Sequence, residues 1–526
     1  MTSSDTRRSW DVAVIGGGHN GLVAATFLGK AGRSVVVLEA ADEPGGAART
    51  HEFHPGFRVS SLAHVLNRLH PEVVKELTLE QHGLVLEGRA MPSVALTGTG
   101  EPVVLRGTYG ESIGGVTFSE AAAWTELRAL LMRQVGILKP LLARRPPDLD
   151  GMALKEKLAL GGIALSLRRL GREDMRDLLR MLLMNISDVL DEHLENDALR
   201  GLLAFDAVLG SHLGPRSPTS LIGLYYRLAG EIAGAAGGQM LPKGGMGAVV
   251  AAILPVAEMA DVTIRTNAPA ARILVESGRT VGLVLASGEE IRARTIVSAI
   301  NPRTTFIDLV GPRELDTGFL RKILNVRMKG NVAKLHLALD RAPEFSGVGR
   351  GDHAGRLVIA PSSEAVETAF NPAKYGEFSP KPVMEIVLPS LSDPALAPAG
   401  ACVLSANIQF APYALKEGWE TGKPRLLAAI MAQLERHAPG IGRTVLASEL
   451  LTPADIEARF AMPGGHWHHG ELQPDQMLMS RPVFGAGGYD TPVAGLYLAG
   501  AGSHPGGGVS GVPGMNAARR VMAMET

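Results

Sequence analysis

Apolar and polar residues follow two rhythms along this chain. Short, mostly apolar runs at 11–15 and 34–39 read as buried parallel strands. Between them, residues 20–31 place Leu22, Ala25, Phe27 and Leu28 at helical spacing and stop at Gly32. Strand, helix and strand make one β-α-β unit. Residues 119–142 repeat apolar positions at the helical period behind an acidic first turn at Glu120, until Pro146-Pro147 breaks the pattern. From Met152 to Leu202 the pattern is mostly amphipathic helix. There Arg168, Arg169, Arg172, Arg176 and Arg180 alternate with Leu and Met, and no strand signal interrupts. A helix over 248–259 precedes a strand at 262–264. A meander of strands at 271–276, 280–285 and 290–297 follows, turning at Ser277-Gly278 and Ser287-Gly288. Short strands alternate with Pro- and Gly-rich loops over 332–404, and a helix spans 424–437. A buried strand at 495–499 and a helix at 515–524 complete the pattern.

Length and charge narrow the function classes. The 526 residues leave room for two or three domains at roughly 100–200 residues each. With 52 Lys+Arg against 53 Asp+Glu, the even balance argues against nucleic acid as partner. The single cysteine, Cys402, excludes disulfides, Cys-based metal sites and CxxC dithiol chemistry. Residues 1–10 are polar, with Arg7 and Arg8, and lack the apolar centre of a leader peptide. No apolar run reaches the ~18 residues of a spanning helix. The expectation is a cytoplasmic protein, at most in contact with a membrane surface.

Glycine changes the picture. There are 63 glycines, clustered at 16–21, 45–46, 244–247 and 500–514. Such clusters mark backbone that approaches something closely or adopts positive φ. Gly16-x-Gly18-x-x-Gly21 lies between the first strand and the helix, and Glu39 ends the second strand. That context defines a dinucleotide site. Gly16 makes the tight turn, Gly18 admits a pyrophosphate, Gly21 lets helix pack on strand, and the helix N-terminus favours the anion. Glu39 is expected to bond a ribose hydroxyl, which disfavours a 2′-phosphate. Beyond Ala40, the Gly45-Gly46-Ala47-Ala48-Arg49 run offers a second backbone approach and a cation for the same pyrophosphate. An extended FAD needs this second contact, whereas NAD sites of this type do not usually show one. The loop Gly500-Ala501-Gly502 through Gly508, and Gly511-Val512 leading into the last helix, suit a flavin ring and ribityl chain. The alternative, a second nucleotide site there, lacks a strand to complete its β-α-β unit.

These pieces together resemble the FAD-dependent amine oxidase and phytoene desaturase superfamily over most of the chain. The segment 14–25, the Pro242–Gly247 loop and the Gly500–Gly508 loop are similar to bacterial-type phytoene desaturases. They are more similar still to the group called pyridine nucleotide-disulfide oxidoreductase domain-containing protein 2, which has a segment like 463–471 with Asp475-Gln476 after it. The resemblance implies FAD contacts at Gly16, Gly18, Gly21, Glu39, Gly46 and Arg49, an adenine contact at Ala270, and flavin contacts at Gly502 and Val512; His19 and Asn20, within the first glycine turn, are further cofactor candidates. The chain departs from the amine oxidase branch: no aromatic pair is evident near its C-terminus, and Gly500-Ala501-Gly502 replaces the acid of the last loop.

The expected fold class is therefore α/β. A Rossmann-type FAD-binding domain with a parallel sheet takes 1–70, 236–310 and 481–526. An inserted mixed-sheet substrate domain takes 71–118 and 311–480, and a helical cap takes 119–235. The cap has three readings: a tunnel for an apolar substrate, a face toward lipid, or plain packing. The candidates for polar chemistry sit in 464–471, with His469 first, then Glu471 as general acid or base. Their alternative role is a loop bonded to backbone. His504, in the flavin loop, is a further catalytic candidate, and Tyr225, Tyr226 and Asp206 are candidate cavity residues. No metal site is expected. The leading functional expectation is hydride transfer from a C–C unit of an apolar, polyene or lipid-like substrate to flavin N5. That means desaturation or isomerisation, with electrons leaving to a quinone or other acceptor. The alternatives are an amine or alcohol oxidase producing hydrogen peroxide, and a non-catalytic flavoprotein that binds a partner.

Overall fold

A computed structural model describes residues 9–86, 90–98, 100–147 and 154–524. The first sheet has seven strands. Trp10–Ile15 lies between Val35–Leu38 and Glu290–Ser298, in parallel register on both sides (Val12 opposite Val35 and Thr295). Thr263–Arg265 extends the parallel part beyond Val35–Leu38, and Leu496–Leu498 pairs with Glu290–Ser298. On the far side Ala270–Glu276, Arg279–Leu285 and Glu290–Ser298 form the expected antiparallel meander. Ser277 and Gly278 turn the first hairpin with φ of 50° and 77°, the left-handed pair that matches strand twist.

Helices His19–Lys30, Gly247–Met259 and Val512–Met524 lie close together against this sheet. Small residues permit their approach: a Cβ on Gly21 would lie 2.0 Å from the Gly16 carbonyl oxygen, and one on Gly514 2.1 Å from the Asn20 carbonyl oxygen. Val12, Val14, Val35 and Val37 bury against Ala24, Leu28, Ala517 and Val521 in the resulting core.

The second sheet has eight strands, mixed in direction. In spatial order they are Val445–Leu451, Val332–Leu339, Cys402–Gln409, Val383–Val387, Arg356–Ile359, Ser93–Ala95, Val103–Arg106 and Ser112–Gly114. The three short strands between 93 and 114 carry no clear alternation and were not expected from the pattern. Leu335, Leu337, Ile386 and Leu404 pack on Leu426, Ile430 and Leu434 of helix Trp419–His437. The opposite face, through Val358, Val383 and Phe410, packs on the helical layer.

That layer differs from the expected long run. Its expected start at Met152 lies outside the described residues. The rest divides into Leu154–Arg169, Gly171–Met181, Ile186–His193 and Asp197–Val208. Gly171 at φ +85° ends the first piece. Asn185 and Asn196 cap the third and fourth through hydrogen bonds to Asp188 N and Leu199 N. Leu202, Phe205, Leu224 and Leu228 bury beneath helix Phe118–Ala143, so the layer is packed as well as poised over the site. No helix of the described residues is long and apolar enough to cross a membrane.

Candidate functional site

A cavity of about 430 Å³ runs from the first sheet to the second. At the first sheet it is a backbone cradle. Gly18 caps helix His19–Lys30 without any side chain on the free N–H groups, and a Cβ placed on it would meet nothing within 4 Å. The helix start therefore faces open space with its positive end. Gly16 turns at φ +96°. The second glycine pair lies directly on the first: Gly45 N donates to the Gly17 carbonyl at 2.8 Å, and a Cβ on Gly46 would sit 3.5 Å from Gly18 Cα.

Gly16, Gly18, His19, Asn20, Gly21, Glu39, Ala40, Gly45, Gly46, Ala47, Ala270 and Ala501 all line this cavity. Glu39, expected to face a ribose, also holds backbone. Its Oε2 accepts from Gly17 N at 2.7 Å and its Oε1 from Ala41 N at 2.8 Å, so it also fixes the phosphate-side turn.

Other expected contacts lie outside the cavity lining. Arg49 turns to Glu43 at 3.2 Å and Asp42 at 3.6 Å, because these acids sit on the same short loop. Gly500 packs on the Ala299 and Ile300 carbonyls, and Gly502 packs on Pro302. Gly511 packs against Val73 and Val23, and Val512 N donates to Ser510 Oγ at 3.2 Å. Tyr225 is buried away from the cavity, bonded to Gln134.

The 464–471 segment divides in function. His469 lines the cavity. Burial, with Arg481, His466 and His19 adding to it, drives its pKa down to about 3, so the ring is neutral at pH 7 and holds no proton to donate as imidazolium. Burial likewise holds neighbouring His468 well below the usual range. Glu471 is buried and points away from the cavity, toward His212 N at 3.2 Å and His466 Nε2 at 3.4 Å. In this position Glu471 ties its loop to the backbone of His212. His504 is also fully buried, outside the cavity. Burial, partly offset by the Leu141 backbone, lowers its pKa to about 3, and its carbonyl accepts from Tyr489 OH at 2.9 Å.

At the second sheet the cavity becomes polar, and most of this end had no local sequence signal. Asp206 and Glu385 line it, and Arg356 bridges the two carboxylates. Asp206 Oδ2 also meets Arg227 Nε at 3.0 Å and accepts from Tyr109 OH at 2.8 Å. Glu385 Oε1 accepts from Asn407 Nδ2 at 2.7 Å. Burial raises the Glu385 carboxyl, but Arg356 and Arg227 outweigh it and hold the group below its ordinary range. Lys334 bonds His64 Nδ1 at 2.5 Å and Asn407 Oδ1 at 3.2 Å. Burial pulls its pKa down to about 7, with Glu385 opposing. Tyr226 lines the wall, donating to the Gly507 carbonyl at 2.7 Å beneath Arg68, 3.8 Å from its ring centroid. Arg481 staples the two loops at this wall, donating to the carbonyls of His468 at 2.6 Å and Ala501 at 2.8 Å. Nothing in the sequence pattern singled out Lys334, Glu385 or Asn407, because strand spacing does not say which buried polar groups converge.

The family profile described as flavin containing amine oxidoreductase matches residues 21–522. The chain belongs to that family. A mouse protein named pyridine nucleotide-disulfide oxidoreductase domain-containing protein 2 is 35% identical, covering 97% of this chain and 93% of its own. A lycopene-forming phytoene desaturase of a Paracoccus species is 25% identical over 95% of this chain and 94% of its own. Among solved structures, an oxidoreductase from Methanosarcina mazei superposes with a TM-score of 0.62 at 17% identity, over 97% of this chain and 99% of that one. The protein is an FAD-dependent oxidoreductase.

The residues present fit FAD. A Cβ on Gly18 would meet no atom of the described residues within 4 Å, and buried His19 Nε2 and Asn20 Oδ1 find no hydrogen-bond partner among those residues. Gly16–Gly21 and Gly45–Ala47 would hold the pyrophosphate, and Glu39 and Ala270 the nucleoside. When bound, FAD accepts a hydride at its ring.

Proposed function

We propose that this flavoprotein is a dehydrogenase or desaturase of an apolar, lipid-like substrate, acting on a C–C unit and passing electrons to a quinone-type acceptor. One observation carries the reading. Every carboxylate oxygen of Asp206 and Glu385 already has a partner: Arg356 and Arg227, with Tyr109 and Asn407. The ammonium group of an amine therefore meets no free counter-charge at this end, and uncompensated burial of that charge is costly. The apolar walls, Leu62, Leu209, Phe460, Met462 and Leu472, suit a hydrocarbon. The neutral His468 and His469 orient rather than titrate. A C–H hydride donor needs chiefly alignment, which fixed walls supply. The desaturase among the relatives agrees with this chemistry.

Anaerobic mixing with a panel of terpenoid polyenes and primary amines tests it. Bleaching of the flavin by a polyene and not by amines is expected. Bleaching by amines alone would transfer the case to an oxidase of the peroxide-producing kind.

A further inference from the structure

A second cavity, of about 230 Å³, abuts the main one. The two share a single lining residue, His64. The outer part of the second cavity includes Val85, 52% exposed, and the exposed Lys243 and Pro394. Its inner end is the buried pair His64 and Ser405. It therefore leads from the surface to the far side of His64, which also lines the main cavity. The Pro242–Gly247 loop supplies one wall. Gly245, at φ +76°, belongs there because a Cβ would approach Thr50 Oγ1 to 2.6 Å and Ser60 Oγ to 3.0 Å. Residues 389–396 supply the opposite wall, and Asp393 Oδ2 ties the two by accepting from Gly244 N at 2.7 Å.

We propose that this second cavity is a side channel admitting a one-ring electron acceptor of the quinone class, with His64 as the partition between acceptor and substrate. The inference rests on the dehydrogenase reading above. Turnover of such an enzyme needs two reactants to reach one cofactor. The main cavity serves an extended substrate, and the second is too small for one but holds a single ring. Val59, Leu241, Val387 and Leu396 give the ring apolar walls. Lys334 at 2.5 Å and Ser405 Oγ at 3.4 Å fix the His64 ring through Nδ1, so the partition holds one orientation. In the acceptor step two electrons and two protons leave the reduced flavin, the quinone becomes a hydroquinone, and the flavin returns to its oxidised form.

The test plugs the channel. Ser392→Trp fills it from a half-buried position, and Val85→Trp covers its exposed mouth, where the fold tolerates bulk. In protein reduced with dithionite, reoxidation by benzoquinone is expected to slow by about tenfold in both variants, because the encounter route is closed. Reoxidation by ferricenium, which takes electrons at the surface, is expected to stay the same. As a readout independent of turnover, wild-type crystals soaked in bromobenzoquinone are expected to show bromine density in the second cavity, and Ser392→Trp crystals to lack it. Unchanged benzoquinone rates in both variants, or absence of bromine from the wild-type cavity, overturns the channel. In that event a flavin still bleached by polyenes leaves the dehydrogenase reading standing; a flavin inert to polyenes removes that reading instead.

Discussion

Gly18 and Gly21 stand three residues apart and do opposite work. A Cβ on Gly18 points into the cofactor cradle and meets no atom of the described residues within 4 Å. Gly18→Trp is therefore expected to fold normally by circular dichroism yet purify without its yellow colour. A side chain on Gly21 strikes the Gly16 carbonyl at 2.0 Å. Gly21→Leu is expected to unfold at lower urea, by at least the ~1–3 kcal/mol of overpacking, whether or not flavin is added. The sequence distinguished these roles because the turn geometry is local. Arg49 illustrates the limit: its cation was legible, but its choice of Asp42 and Glu43 depends on loop closure that spacing does not encode.

Between elements, the decisive contacts cross from helix to strand. Arg356 on one strand joins Glu385 on the next and Asp206 on a helix of the cap. Removing the cation leaves buried Glu385 without its contacting cation, while Asp206 keeps Arg227, so Arg356→Met is expected to cost ~3–5 kcal/mol in urea unfolding. A loss below ~1 kcal/mol would mean that the carboxylates find other partners. The strands and helices of the nucleotide half were legible because buried parallel strands and glycine turns leave strong local patterns. The strands at 93–114 were not: three or four residues each are too short for alternation to register. The helical insert looked continuous because amphipathic periodicity persists across breaks made by one glycine and two asparagine caps. Convergence of Lys334, Asn407 and Glu385 on one cavity end depends on strand order, which a single chain of alternating residues does not reveal.

For the whole molecule, buried histidines set the acid limb of stability. His469 and His504 are held to about 3 and His19 to about 4, in each case chiefly by burial. Below the ordinary histidine pKa of ~6.5 the unfolded chain binds protons that the native one refuses, so stability falls as pH falls. The loss is ~2 kcal/mol per histidine between pH 6.5 and 5. Urea midpoints are therefore expected to drop steeply over this interval. His504→Gln, outside the cavity, is expected to flatten the slope while the flavin is retained.

We propose an FAD enzyme that passes electrons from a hydrocarbon to an organic acceptor rather than to oxygen. The most direct measurement is stopped-flow reoxidation of the dithionite-reduced protein in air-saturated buffer, beside the same reaction with benzoquinone. Slow recovery with oxygen, little peroxide and much faster recovery with the quinone are expected. Rapid recovery in oxygen with one peroxide released per flavin would contradict it.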